Sequence, residues 1–206
     1  MPVWRILIRP DIFASFVAFV LIFAAHAINM MNLPLTVTTL LGGKERDLGI
    51  IFGVGPIVEI PLMLWFGKLA SRGHQIALIR FGAVATLAYF ICLSFATAPW
   101  HVYLAQILSG ISFAIITNVT ILFYQDLLPG QAGLATTIFT NSANTGNLVG
   151  YFAFGPVVET FHHRGAFLVC AVLAMLTLLI LLCWRQRART TPATVLATAP
   201  AEGRSE

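Results

Sequence analysis

Six times between residues 12 and 184 the sequence runs through about twenty apolar residues and then breaks on charge, glycine or proline. A hydrocarbon core about 30 Å thick takes about 20 residues of helix to cross, so each run is long enough to span a bilayer. The runs extend approximately from Ile12 to Leu35, Leu48 to Phe66, Gln75 to Phe95, Trp100 to Tyr124, Ala132 to Val158 and Gly165 to Trp184. Composition closes off the soluble alternative, because 58% of the residues are hydrophobic and only 10% are Asp, Glu, Lys or Arg. A soluble domain of 206 residues has too little interior to hide that much apolar side chain. The expected fold is an all-α membrane protein with six transmembrane helices within residues 1–189. A disordered cytoplasmic tail is expected over 190–206, where Thr, Ala and Pro alternate without periodicity or bulk.

Charge then sets orientation. Arg5, Arg9, Lys68, Arg72, Arg80, Arg185, Arg187, Arg189 and Arg204 fall on one side of the six runs, while Lys44, Arg46 and Arg164 fall on the other. Basic residues collect in cytoplasmic loops, so both termini are expected in the cytoplasm and the formal +4 charge implies no nucleic-acid partner. Arg5, Arg9 and the apolar stretch ending at Ala25-His26-Ala27 imitate a cleavable signal peptide. The apolar run continues through Ile28, Met30, Met31 and Leu33, however, which favours a retained first span. Cys92, Cys170 and Cys183 lie in apolar runs without metal-ligand spacing and read as small core residues.

Polar groups at membrane depth are where function is expected. Glu59 is the charged residue well inside a run, about eleven residues or roughly 16 Å from its outer end. An ionisable group there should face a cavity, a partner or its own protonation, and it is a candidate for proton coupling or substrate binding. Pro56 and Pro61 flank it and each removes a backbone donor. His26, Asn29 and Asn32 step by three along the first run, and so do Asn141, Asn144 and Asn147 in the fifth. Imidazole can carry a proton near neutral pH, and carboxamides both donate to and accept from hydroxyl groups. The same groups can instead be interhelical glue. In the fourth run Gln106, Ser109 and Ser112 add a further polar stripe, whereas the third and sixth runs are nearly all apolar and read as lipid-facing or structural. Uncharged amides and hydroxyls suit a neutral polyhydroxylated solute better than an ion. Gly146 and Gly150 form a GxxxG pair suited to close helix contact. No metal-site, nucleophile or phosphate-loop motif occurs, so neither a cofactor nor an enzyme activity is expected.

Three stretches resemble a known family. Glu59-Ile60-Pro61, Gln125-Asp126-Leu127-Leu128-Pro129-Gly130-Gln131-Ala132-Gly133 and Ala135 to Ser142 are similar to the C-terminal half of bacterial sugar efflux transporters of the major facilitator superfamily. Gly67-Lys68-Leu69-Ala70-Ser71-Arg72-Gly73-His74 resembles that superfamily's loop signature G-x-L-A-D-R-x-G-R; Gly67, Leu69, Ala70 and Arg72 match and Ser71 stands in place of Asp. The resemblance implies half of a twelve-helix transporter, its six helices built as an inverted 3+3 repeat, in a bacterial inner membrane. Gly55-Pro56-Ile57-Val58-Glu59 and Gly155-Pro156-Val157-Val158-Glu159 fall on corresponding helices of such a repeat. It further implies a solute path lined by the first, second, fourth and fifth helices, with Gly67, Leu69 and Arg72 in a gating loop. The chain would pair with a separate N-terminal half or a second copy, or be a fragment.

The expected activity is proton-coupled export of a sugar or similar polyhydroxylated solute by alternating access. Asn29, Asn32, Glu59, Gln106, Asn141 and Asn144 are the expected substrate-binding residues, with Glu59 and His26 as candidates for proton coupling. The competing expectations are an exporter of drugs or other amphipathic compounds on the same fold, and a non-transporting membrane fragment.

Overall fold

The computed structural model describes residues 9–183. The tail expected over 190–206, Trp184 at the end of the sixth run, and Arg5, Arg185, Arg187, Arg189 and Arg204 lie outside the described residues.

Every described element is helical. Helix α1 covers Pro10–Leu35 and passes into a π-helical turn, Thr36–Leu40. Helix α2 covers Glu45–Leu69 and passes through a second wide turn, Ala70–His74, into α3, Gln75–Ser94. Helices α4 and α5 cover Pro99–Leu127 and Ala132–Cys183. Four continuous helical stretches are long and apolar enough to cross a membrane. The starts follow local chemistry. Pro10 and Pro99 open α1 and α4, where a missing N–H costs nothing and the fixed φ suits a first turn. At α2 the Asp47 carboxylate accepts from the Lys44 backbone N–H at 2.7 Å, closing an otherwise unpaired donor.

The end of α1 is set by Pro34, which cannot donate to the preceding turn. The helix widens just beyond it, and hydroxyls bond the loosened carbonyls: Thr36 Oγ1 to Asn32 at 2.9 Å, Thr38 Oγ1 to Pro34 at 2.9 Å and Thr39 Oγ1 to Leu35 at 2.6 Å. Satisfying backbone groups internally in this way is what an apolar solvent demands.

Two long stretches double back on themselves. Between α2 and α3 the reversal sits at Gly73, whose φ of 89° suits glycine. Within α5 it sits at His162, with φ 59° and ψ 174°, which divides the helix into arms 132–161 and 163–183. Contacts with α1 give the directions. Along the first arm, Gly146 meets Val20 and Phe23 and Gly150 meets Ala24 and Ala27, so it runs with α1. Along the second, Cys170 Sγ meets the Ala25 carbonyl and Thr177 Oγ1 the Ala18 carbonyl, so it runs against α1. By the same reasoning α2 runs with α4, through Val58 at Gly110 and Met63 at Asn118, and α3 runs against α4, through Gly82 at Ile115. Gly73 and His162 fall in the breaks between apolar runs, and both reversals are made by turns within nearly continuous helix rather than by open loops.

Helix α1 packs along both arms of α5, and small residues are the reason for the closeness of the first contact. A Cβ built on Gly150 would lie 2.5 Å from the Ala24 carbonyl and 2.6 Å from Ala27 Cβ; one on Gly146 would lie 2.6 Å from Phe23 Cβ. Backbones this close replace the hydrophobic drive that lipid does not supply. Gly150→Leu is expected to push α1 from α5 and cost about 1–3 kcal/mol. Gly155→Leu, built where no atom lies within 4 Å, is expected to leave stability intact. Thermal unfolding of both variants in detergent checks this, and an equal loss in both would reject the close contact.

Candidate functional site

Side chains from every helix converge on one cavity of about 580 Å³. Helix α1 contributes His26 and Asn29, α2 contributes Pro56 and Glu59, α3 contributes Tyr89, α4 contributes Gln106 and Ser109, and the first arm of α5 contributes Asn147 and Tyr151. Met30, Phe52 and Tyr151 at its edge are exposed, so the cavity opens to the outside of the bundle. Gly110 allows α4 and α2 to approach here, since a Cβ on it would lie 2.9 Å from Val58 Cβ.

The polar groups fall into a bonded set and an unbonded one. Tyr89 is fully buried, and its hydroxyl accepts from Asn29 Nδ2 at 3.1 Å and from Gln106 Nε2 at 3.4 Å. Asn29 Oδ1 and His26 Nε2 are buried with no hydrogen-bond partner. The His26 ring lies among aromatics, 4.6 Å from Phe113 and 5.7 Å from Phe90 between centroids. Glu59 is half-buried on the cavity wall, and among the described residues the only ion pair is the exposed Arg9–Asp11 contact. Unpaired buried polar atoms are costly, and the two on cavity residues, His26 Nε2 and Asn29 Oδ1, are groups that water or a ligand can complete.

Of the residues expected to bind substrate or protons, His26, Asn29, Glu59 and Gln106 come together. Asn32 does not line the cavity. It is fully buried one turn further along α1, where Nδ2 donates to the His163 carbonyl at 2.8 Å and Oδ1 pairs with His163 Nδ1 at 2.7 Å. It clamps the reversal in α5, the interhelical role that its amide served equally well on paper. Asn141 and Asn144 are exposed on the outer face of α5, and Asn147 is the member of that trio that reaches the cavity. Helical spacing still puts Asn141, Asn144, Leu148 and Tyr151 on one stripe, which runs from the cavity rim towards the start of α5. The two similar pentapeptides occupy unlike places: Glu59 lines the cavity, whereas Glu159 is exposed beside the His162 reversal.

Around the α2–α3 reversal, Gly67 lets Asn118 approach to 3.1 Å of a would-be Cβ, Leu69 packs on the core and Arg72 is exposed. Ser71 Oγ donates to the Lys68 carbonyl at 2.8 Å. Gln75 Nε2 donates to Asp126 at 2.8 Å, which ties this turn to the end of α4, a contact no spacing suggested. The larger omission was Tyr89. Its run read as apolar and as lipid-facing or structural, yet its hydroxyl bonds two amides of the cavity. A step of three from Thr86 to Tyr89 was the available signal, since Thr86 faces inward too and shares a hydrogen bond with Ser112 of α4.

Comparison with known proteins agrees with this architecture. A family model described as Major Facilitator Superfamily matches residues 14–203. The chain is 32% identical over 179 residues to sugar efflux transporter A of Dickeya chrysanthemi, covering 87% of this chain and 45% of that protein. It is 30% identical over 173 residues to sugar efflux transporter B of Salmonella typhimurium, covering 84% and 44%. With sugar efflux transporter A of Escherichia coli the identity is 27% over 165 residues, covering 80% and 42%. The chain thus spans less than half the length of these relatives.

Asn32→Ala would strip two contacts from His163 and is expected to cost about 1 kcal/mol, a loss of a few degrees in melting temperature. Asn144→Ala, on the exposed stripe, is expected to change nothing. Melting curves that fail to separate the two would remove the clamp.

Proposed function

Because the chain belongs to the major facilitator superfamily, we propose that it forms one six-span half of a secondary transporter that exports sugars or similar polyhydroxylated solutes by alternating access. The observation that carries this reading is the polar set gathered in an otherwise apolar cavity: amide, hydroxyl and imidazole groups with a single carboxylate, Glu59, among side chains such as Phe23, Leu33 and Phe113. Neutral donors and acceptors match a solute with many hydroxyls without the desolvation cost of charge. The names of the three relatives support the same cargo.

Six spans follow if each reversal, at Gly73 and at His162, lies at a membrane surface. Stretches of 50 and 52 residues are about 75 Å long as straight helix, more than twice a hydrocarbon core. Arg80 bonds the Leu181 carbonyl near one end of the bundle and Arg164 the Ala96 carbonyl near the other; with Arg9, Lys68 and Arg72 counted with Arg80, and Lys44 and Arg46 with Arg164, the basic excess supports a cytoplasmic first end in a bacterial inner membrane. Thr136, Thr137, Asn141, Asn144 and Thr145 are exposed on α5 beside the cavity mouth. In lipid that face would lack partners, so it supports a second six-span unit, a separate half or a second copy, closing the path from the other side. Asn141 and Asn144 then meet solute further along the path than Asn29 and Gln106. Gly67, Leu69 and Arg72 form the turn that moves with gating.

Glu59 is the proton-coupling group, and His26, which also lines the cavity, is the second candidate for that role. A carboxyl that is protonated on one side of the membrane and ionised on the other makes solute movement follow the proton gradient.

Vesicles carrying the paired assembly are expected to move radiolabelled glucose or lactose, faster with an imposed pH gradient. Glu59→Gln is expected to abolish the acceleration. A paired assembly that moves neither sugar rejects the function, and an unchanged pH profile in Glu59→Gln rejects the coupling role.

A further inference from the structure

We infer that Tyr89 is a positioning residue that turns two carboxamides into hydrogen-bond acceptors, so that the cavity recognises at least one solute hydroxyl as a donor. The inference rests on the sugar reading of the cavity and specifies how that site reads its ligand.

The argument begins with the inventory of a carboxamide. Asn and Gln carry an NH2 group that only donates and a carbonyl oxygen that only accepts, and a free side chain can present either by turning over. Here neither is free. Asn29 Nδ2 and Gln106 Nε2 both donate to the Tyr89 hydroxyl, from opposite walls of the cavity on α1 and α4. A phenol oxygen has two lone pairs, and two N–H donors occupy them. Each NH2 spends one of its two N–H groups on Tyr89, which turns that end of the amide to the hydroxyl and leaves the carbonyl oxygen facing away from it. Asn29 Oδ1 is buried and without a partner, on a residue only 8% exposed that lines the cavity. Glu59, also on the wall, adds carboxylate oxygens that accept when ionised.

Tyr89 itself cannot rotate away. It is 0% exposed, and its ring packs 5.1 Å from that of Phe90. Its helix is held to α4 by the Thr86–Ser112 hydroxyl pair and by the close approach of Ile115 to Gly82. The hydroxyl is therefore a fixed point delivered by an outer helix, and the amides are set by it. A phenylalanine there keeps the packing and releases both amides.

The test uses sugars that differ in one hydroxyl. A deoxy sugar loses donor and acceptor together, whereas a deoxyfluoro sugar keeps a weak acceptor and loses the donor. Competition binding is measured against radiolabelled glucose or lactose on the paired assembly in bilayer vesicles, with monodeoxy and monodeoxyfluoro hexoses as competitors. In the native protein at least one ring position is expected to give about a tenfold loss for both analogues, because neither can donate to a fixed carbonyl. In Tyr89→Phe the deoxyfluoro analogue at that position is expected to bind severalfold better than the deoxy one, since a released NH2 can now turn to it. A role in packing alone would shift all affinities together and leave their ratio unchanged. Native binding in which every deoxyfluoro sugar matches its parent overturns the inference, as does a ratio that Tyr89→Phe does not move. Absence of any sugar binding overturns instead the sugar reading beneath it, and the inference falls with that reading.

Discussion

Helices in hydrocarbon gain little by burying leucine against leucine, because the lipid tail outside is as apolar as the side chain inside. What holds this bundle together must therefore be close backbone approach and internal hydrogen bonding. Both are concentrated on α1. Gly146 and Gly150 bring one arm of α5 to within van der Waals distance of it, while Thr177 and Cys170 bond its carbonyls from the other arm. The aromatic cluster of Phe19, Phe123 and Tyr124 then seats α4 across α1 in edge-to-face contacts. Helix α4 in turn places α2 through Gly110 and Asn118, and α3 is held between α4, through Ile115 and Ser112, and the second arm of α5, where Arg80 Nε donates to the Leu181 carbonyl.

The same solvent sorts polar side chains into two kinds. Asn32 and Asn29 lie three residues apart on one helix, with the same amide chemistry. Asn32 has both ends of its amide bonded to His163 and can do nothing else. Asn29 has one end bonded and the other buried without a partner at the cavity wall. A fully satisfied group rigidifies, and a partly satisfied one marks where something else is meant to bind. Function in this chain is read from what its hydrogen bonds leave over.

That distinction explains how much was legible beforehand. The long apolar helices and the GxxxG contact were readable because length, hydropathy and small residues act locally along the chain. Gln106, Glu59, Asn29 and His26 were readable as polar groups where polar groups are expensive. Which amide faces the cavity was not readable, because steps of three place Asn29 and Asn32, or Asn144 and Asn147, on nearly the same face and only the neighbouring helix decides between them. Tyr89 was missed for the opposite reason. A phenol is mostly hydrocarbon, so it blended into an apolar run, although its hydroxyl is the polar atom on which two helices meet.

The position of that atom bears on how the site can change shape. Asn29 and Asn147 belong to the α1–α5 contact, which glycine makes tight, whereas Gln106 and Glu59 belong to the contact of α4 with α2, where Pro56 and Pro61 interrupt the hydrogen-bond ladder of α2. The cavity thus lies between the α1–α5 contact and the α2–α4 contact. Tyr89 comes from α3, which packs against both α4 and α5, and its hydroxyl bonds Asn29 on one side and Gln106 on the other. A shift of α1 against α4 would strain these two bonds, and the amide whose bond yields would be the one whose presentation depends on conformation. A solute held by that amide would bind the two arrangements unequally, and unequal affinity is the only means by which a ligand can drive an equilibrium between them.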